Sequence, residues 1–441
     1  MSEIPIVMVL DAIKPANSGS GEERLVYKGL SEAVDKYRPT NSERAAEVWA
    51  SEAGSLEELS SARELAGEYL LRTADKTVNS RAYNSDLWAD RFTGATTELY
   101  GEPDRAEAIK LLTIDYRDLL DMGGDDIFSQ PHVNFLLATF QPIIGESSNN
   151  TDSYAAEMER EKAAIHEYGK AIIDKYKPLL DLVSQSGKTK FNPKDLHELF
   201  SEALDWLKEH DDPTWRDWEI IDFDGTSVTT VAEDRQIKIP SEREDATIQD
   251  ARALIAHELL VHAMRAKNGY KTDDVKLATG LPGSLDVEEG LGVLSEEAVN
   301  GTLVDKLYDG YLDIALALGT IDGIQRNRQE IFQISFAEQL LWEQKKGTYN
   351  QADIPSIELK VWGRVDRIYR GGRGDSLGTR QAIFTKDIAY YVGYKQMAAY
   401  ISEQLLQGVP AAEIFHYLSQ AKIDPNNHQH AERLKNAKTV Q

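Results

Sequence analysis

The run His257-Glu258-Leu259-Leu260-Val261-His262 sets two histidines five residues apart around a glutamate, and that spacing restricts the helix that can carry it. On an ideal α-helix, residues five apart are separated by roughly 140° around the axis, against about 40° for residues four apart. An undistorted helix therefore aims the two rings in different directions. A wide turn with i→i+5 bonding brings them to within roughly 50°, and such π-bulges gather at functional sites. The spacing predicts one between Glu258 and His262.

The flanking residues predict the helix itself. Thr247 and Asp250 form a capping-box pair, so the helix begins at Ile248. Ile248, Ala251, Leu254, Ile255, Leu259 and Ala263 recur at helical spacing and mark a buried face. Asn268-Gly269 is expected to stop it with a left-handed residue.

Two histidines and nearby carboxylates are the inventory of a catalytic zinc site. With no cysteine in the chain, a zinc ion would be held by His and carboxylate alone. A second helix is expected near Asp286, on which Glu289, Val293 and Glu296 share one face. Glu289 can then complete a three-ligand site with His257 and His262, while Glu296 orients a ligand histidine through its second nitrogen. The plain alternatives are two partly buried histidines bonded to backbone carbonyls, and glutamates that are solvated charges in an acidic protein.

A chain of 441 residues has room for two or three lobes. We expect an N-terminal arm over residues 1–40, a helical lobe over 41–214, a catalytic domain over 215–423 and a polar tail over 424–441, in which His428 and His430 are solvated. The N-terminal apolar patch lacks a basic flank and a small-residue cleavage site, so it reads poorly as a signal peptide. No apolar run approaches bilayer length, and a cytoplasmic location is expected. The formal charge of −25 opposes binding to nucleic acid or anionic membranes. The oligomeric state stays open.

Helical periodicity dominates from Asn41 onward, with a long charged helix from Ser153 and another opened by Asn192-Pro193. Between Trp215 and Pro240 the pattern changes to short β-type runs, Glu219 to Phe223, Ser227 to Val231 and Gln236 to Ile239. The fold class is therefore α+β, predominantly helical, with a small antiparallel sheet and an N-terminal helical lobe. An edge strand beside the histidine helix can pair with an extended peptide; the other reading is a packing sheet with no substrate role. Further on, Lys360, Arg364, Arg367, Arg370 and Arg373 form a local basic segment suited to gripping a carboxylate, or to neutralising neighbouring acids. Tyr390, Tyr391 and Tyr394 can donate to an oxyanion or simply pack.

Several ordered blocks carry a family resemblance. His257 to His262, Glu288-Glu289-Gly290-Leu291, Ser335-Phe336-Ala337-Glu338, the segment 364–371 and the segment 384–393 together resemble the microtubule-associated tyrosine carboxypeptidase family, whose bacterial members are often labelled QEGLA-motif proteins. The similarity spans about residues 237–401, with a weaker match around 99–104. It implies a zincin-like metallopeptidase core in which His257, His262 and Glu289 bind zinc and Glu258 activates water. It also implies a peptide or protein C-terminus as substrate; in the basic segment, Arg370, with Arg364 or Arg373, is the candidate to hold its carboxylate. Two positions depart from the family: Leu259-Leu260 stand where it often has Ile-Gly, and Gly292 where it usually has Ala. The family's eukaryotic members act on the tyrosine-ending tail of tubulin, but so acidic a tail suits this acidic chain poorly. Two other classes are consistent with the same residues: a zinc hydrolase of a non-peptide amide, and a non-enzymatic helical regulatory protein with a structural metal.

Overall fold

The computed structural model describes residues 89–440 apart from 91–92, 95, 98–99, 122–128, 145–151, 226, 244, 302–307, 346, 348–353 and 370–380. The expected arm over 1–40 and the first part of the helical lobe lie outside the described residues. In chain order the elements are α1 (Arg105–Asp121), α2 (Ser129–Ile144), α3 (Asp152–Gln185), β1 (Lys190–Phe191), α4 (Pro193–His210), β2 (Glu219–Phe223), β3 (Thr229–Val231), β4 (Gln236–Pro240) and β5 (Ala246–Thr247). Then come α5 (Ile248–Leu254), a π-helical segment (Ile255–Ala263) and α6 (Met264–Gly269), which run on without a break. The remaining helices are α7 (Lys276–Thr279), α8 (Leu285–Asn300), α9 (Asp309–Leu318), α10 (Arg328–Lys345), α11 (Ile354–Tyr369), α12 (Ile388–Leu406), α13 (Ala411–Leu418) and α14 (His428–Asn436). The protein is predominantly helical, as its periodicity predicts.

The described residues divide into two compact units, one from within 1–151 and 306–388 and the other from within 152–305 and 389–441. In the first, α1 packs on α2, α2 on α10, and α10 on α11. The second holds the histidine helix. Its core joins α3, α4, the sheet, the π segment, α8, α12 and α13 through residues such as Tyr168, Phe200, Trp215, Leu259, Leu291 and Phe415.

Local signals in the second unit act as the sequence suggests. Asn192 caps α4 reciprocally with Asp195, and Pro193 stands in the first turn, where its missing N–H costs nothing. α3 is bent where Tyr176 leaves helical geometry (φ −116, ψ 19), two residues before Pro178. Gly301 ends α8 at φ 66, a left-handed cap. The small sheet has the order β2-β4-β3. β3 runs antiparallel to β4, whereas β2 runs parallel to it, and β4 lies between two strands that follow each other in sequence. β1 and β5 add a short antiparallel pair.

Three expectations are corrected. Gly269 is not left-handed; a Cβ there would lie 2.3 Å from the Leu277 carbonyl oxygen, so glycine serves close approach to the following segment. Ile248 is 36% exposed, whereas all nine residues from Ile255 to Ala263 are buried, so the helix is sunk in the core rather than half-buried. The C-terminal tail is not simply solvated. It forms α14, buries His430 to 1% exposure and holds that ring by a bond from the Asp424 N–H to Nδ1 (3.0 Å), while Thr439 bridges back to Thr272.

α8 and α12 cross with almost no room between their backbones. A Cβ on Gly290 would fall 2.0 Å from the Gly393 carbonyl carbon, and one on Gly393 would fall 1.6 Å from the Asp286 carbonyl oxygen. Backbone cannot yield as a flexible side chain does, so Gly393→Ala is expected to destabilise the protein by about 1–3 kcal/mol or more. Urea unfolding checks this through a lowered midpoint at unchanged slope; a midpoint equal to the parent's would show that the crossing relaxes freely.

Candidate metal centre

The site is assembled from two helices and one strand of the second unit. Thr247 opens the first helix: its hydroxyl accepts from the Asp250 N–H (3.1 Å), and the Asp250 carboxylate accepts from the Thr247 N–H (3.0 Å). Past Leu254 the winding widens into the π-helical segment, closed where the Met264 N–H donates back to the Leu259 carbonyl five residues earlier. The predicted wide turn is therefore present, and it extends over nine residues instead of one bulge. Its effect is to bring the rings of His257 and His262 to 4.6 Å between centroids at 71°.

α8 supplies the facing carboxylates. One ligand-capable atom from each of His257, His262 and Glu289 lies within 4.8 Å of the others. Glu296 sits 2.5 Å from His257 Nδ1, and Glu288 sits 2.8 Å from His262 Nδ1. With each Nδ1 engaged by a carboxylate, each ring keeps Nε2 as its donor, and two imidazole nitrogens with one carboxylate fit zinc chemically. Gly292 lies between Glu289 and Glu296 on this face, directly beneath the His257 ring. A Cβ there would come within 2.6 Å of the ring, so the absence of a side chain lets the imidazole rest on the helix.

Glu258 is buried beside the rings. Thr230, on strand β3, donates its hydroxyl to the Glu258 carboxylate at 2.7 Å and touches the Glu258 carbonyl oxygen at 3.1 Å. β3 pairs only with β4 among the described residues, so an edge strand borders Glu258.

The charge balance is unusual. Burial acts to lower the His257 pKa, but Glu296, then Glu258 and Glu289, outweigh it and raise it to about 9. At Glu288 burial favours the neutral acid, yet Arg265, Lys422 and His262 hold the carboxyl well below the usual range. Arg265 bonds Glu288 at 2.6 Å and Lys422 lies 3.1 Å from it.

The other candidate residues fall elsewhere. Arg364 belongs to the first unit, where its guanidinium pairs with Asp309 (2.9 Å) and Asp313 (2.8 Å). Ser335 donates to the same Asp313 at 2.7 Å. Arg367 is likewise engaged, donating to Asp387. Arg370 and Arg373 lie outside the described residues. Tyr390 and Tyr391 stand in the first turn of α12, Tyr391 buried and Tyr390 partly so; one turn on, Tyr394 donates to Glu297 at 3.0 Å.

Sequence reasoning passed over Thr230, Arg265, Lys422 and the contact made by Glu288. For Glu288 a signal existed: adjacent helix positions point about 100° apart, so paired glutamates can serve two different partners. Thr230 and Lys422 carried none, since neither is near the histidines in sequence.

The raised His257 pKa has a consequence for chelated protein. A group raised in the folded state stabilises fully below its unfolded value, near 6.5, and that contribution is lost as pH rises through about 9. Glu296→Gln removes the foremost of the carboxylates that raise it, so the His257 pKa should fall well below the parent's. NMR titration of the ring in the presence of chelator measures this; an unchanged value would mean that Glu296 is not the controlling charge.

No curated protein and no solved structure matches the chain. Residues 152–308, which include every residue of the candidate triad and begin where the second unit begins, match the model of one family, described as microtubule-associated tyrosine carboxypeptidase.

Proposed function

We propose that the protein is a zinc-dependent metallopeptidase of carboxypeptidase type, with a zincin-like core formed by the second unit. The observation that carries this reading is the convergence of His257, His262 and Glu289 within 4.8 Å, on a segment whose family model is that of a carboxypeptidase. Zinc held by these three residues would supply Lewis acidity at the scissile carbonyl. Glu258 then acts as the base: its carboxylate takes a proton from the attacking water and returns it to the leaving amine. Thr230 holds one oxygen of that carboxylate, leaving the other to face the reacting water. An extended peptide added along the edge of β3 that no described strand covers would run beside Glu258.

For the terminal carboxylate, Arg370 is the proposed partner, with Arg373 beside it in sequence; Arg364 is engaged with Asp309 and Asp313. Cytoplasmic residence is part of the same proposal. Among the described residues no helix is long and apolar enough to cross a membrane.

Metal content tests the reading directly. The purified protein is expected to hold about one zinc per chain, Glu289→Ala to lose it, and Glu258→Gln to keep it while cleavage of a peptide library falls by several orders of magnitude. Retained zinc with no peptide cleavage by the parent would favour the non-peptide amide hydrolase, and no zinc under metal-replete conditions would leave the histidines structural. Among active preparations, Arg370→Ala should raise KM for peptides with a free C-terminus; unchanged trimming would remove the carboxylate clamp from the mechanism.

A further inference from the structure

We infer that Glu288 is the positioning residue for His262, and that the C-terminal segment 421–423 controls how firmly it holds that ring. This rests on the proposed reading of His257, His262 and Glu289 as metal ligands. Glu288 precedes Glu289 on α8 and points about 100° away from it, so the two carboxylates divide the work: one joins the ligand set and the other faces the back of a ligand ring.

The contacts form a continuous series. Oε1 of Glu288 meets His262 Nδ1 at 2.8 Å, and Oε2 accepts from Arg265 Nη1 at 2.6 Å. Arg265 is fully buried, and its other donors are fixed by main-chain carbonyls, Nε to Ala421 (2.8 Å) and Nη2 to Ile423 (2.6 Å). Main chain at 421–423 thus fixes the guanidinium, the guanidinium fixes the carboxylate, and the carboxylate fixes the ring with its proton on Nδ1 and Nε2 turned to the site. Charge-assisted bonds of this kind are short and directional.

Lys422, from the same segment, lies 3.1 Å from Oε1, the oxygen that holds the ring. A carboxylate behind a ligand imidazole strengthens it as a donor. A cation on that same oxygen draws part of the negative charge away. Glu288 and Lys422 therefore act on His262 with opposite sign, which a merely structural ion pair would not do.

Zinc affinity of the full chain, measured by competition with a chromophoric chelator, tests this, with the cobalt-loaded absorption spectrum as a second reading. Glu288→Gln is expected to weaken zinc binding by about 10–100-fold and to alter the cobalt spectrum, because the ring loses its anionic partner and the single remaining oxygen cannot accept from both His262 and Arg265. Lys422→Met is expected to tighten zinc binding. Parent-like affinity and spectrum for Glu288→Gln would overturn the positioning role, and weaker binding by Lys422→Met would overturn the control by segment 421–423. If Glu288→Gln leaves Arg265 too poorly paired to fold, the sign of the Lys422→Met effect decides alone. A parent that takes up no zinc would instead overturn the ligand reading, a result distinct from either variant's.

Discussion

Two rings five residues apart face a common point only while the helix beneath them is wound wider than usual, and such winding persists only where its surroundings hold it. Here the hold comes from α8. Glu296 takes the Nδ1 of one histidine and Glu288 that of the other, so relaxing the segment to α-helical winding would swing at least one ring off its carboxylate. Burial of all nine π-helical residues adds to this, since the segment has no solvent-exposed side toward which to unwind.

The site also depends on how closely the elements approach. Gly292 allows the His257 ring to lie on α8, and Gly290 allows α8 to lie on α12 at Gly393. Glycine is needed at these places for the absence of a side chain and not for backbone freedom, since none of the three has positive φ. Glu289, Gly290 and Gly292 thus perform three tasks in four positions: a carboxylate facing the two histidines, helix contact and floor of the ring.

Charge is distributed with similar economy. Glu258, Glu288, Glu289 and Glu296 are gathered in and around one largely buried space, where like charges repel far more strongly than in water. Arg265 and Lys422 answer Glu288, and the elevated His257 pKa records the rest. In the first unit Asp309 and Asp313 meet Arg364 instead, which is why an arginine that reads as a carboxylate clamp in sequence is engaged internally.

Local signals determined a good deal of this protein. Thr247 with Asp250, and Asn192 with Pro193, set where two helices start, because capping is decided within four residues. The five-residue histidine spacing demanded a wide turn, and the intervals from Glu289 to Glu296 placed them on one helical face. Tertiary structure alone decided how far the π winding extends, that Thr230 reaches Glu258, that Glu288 reaches His262, and that the C-terminal segment returns to bury His430 and supply Lys422. Helical period and caps are properties of neighbouring residues and are written in order along the chain. Which buried carboxylate meets which cation depends on where distant segments pack, and no local pattern records that.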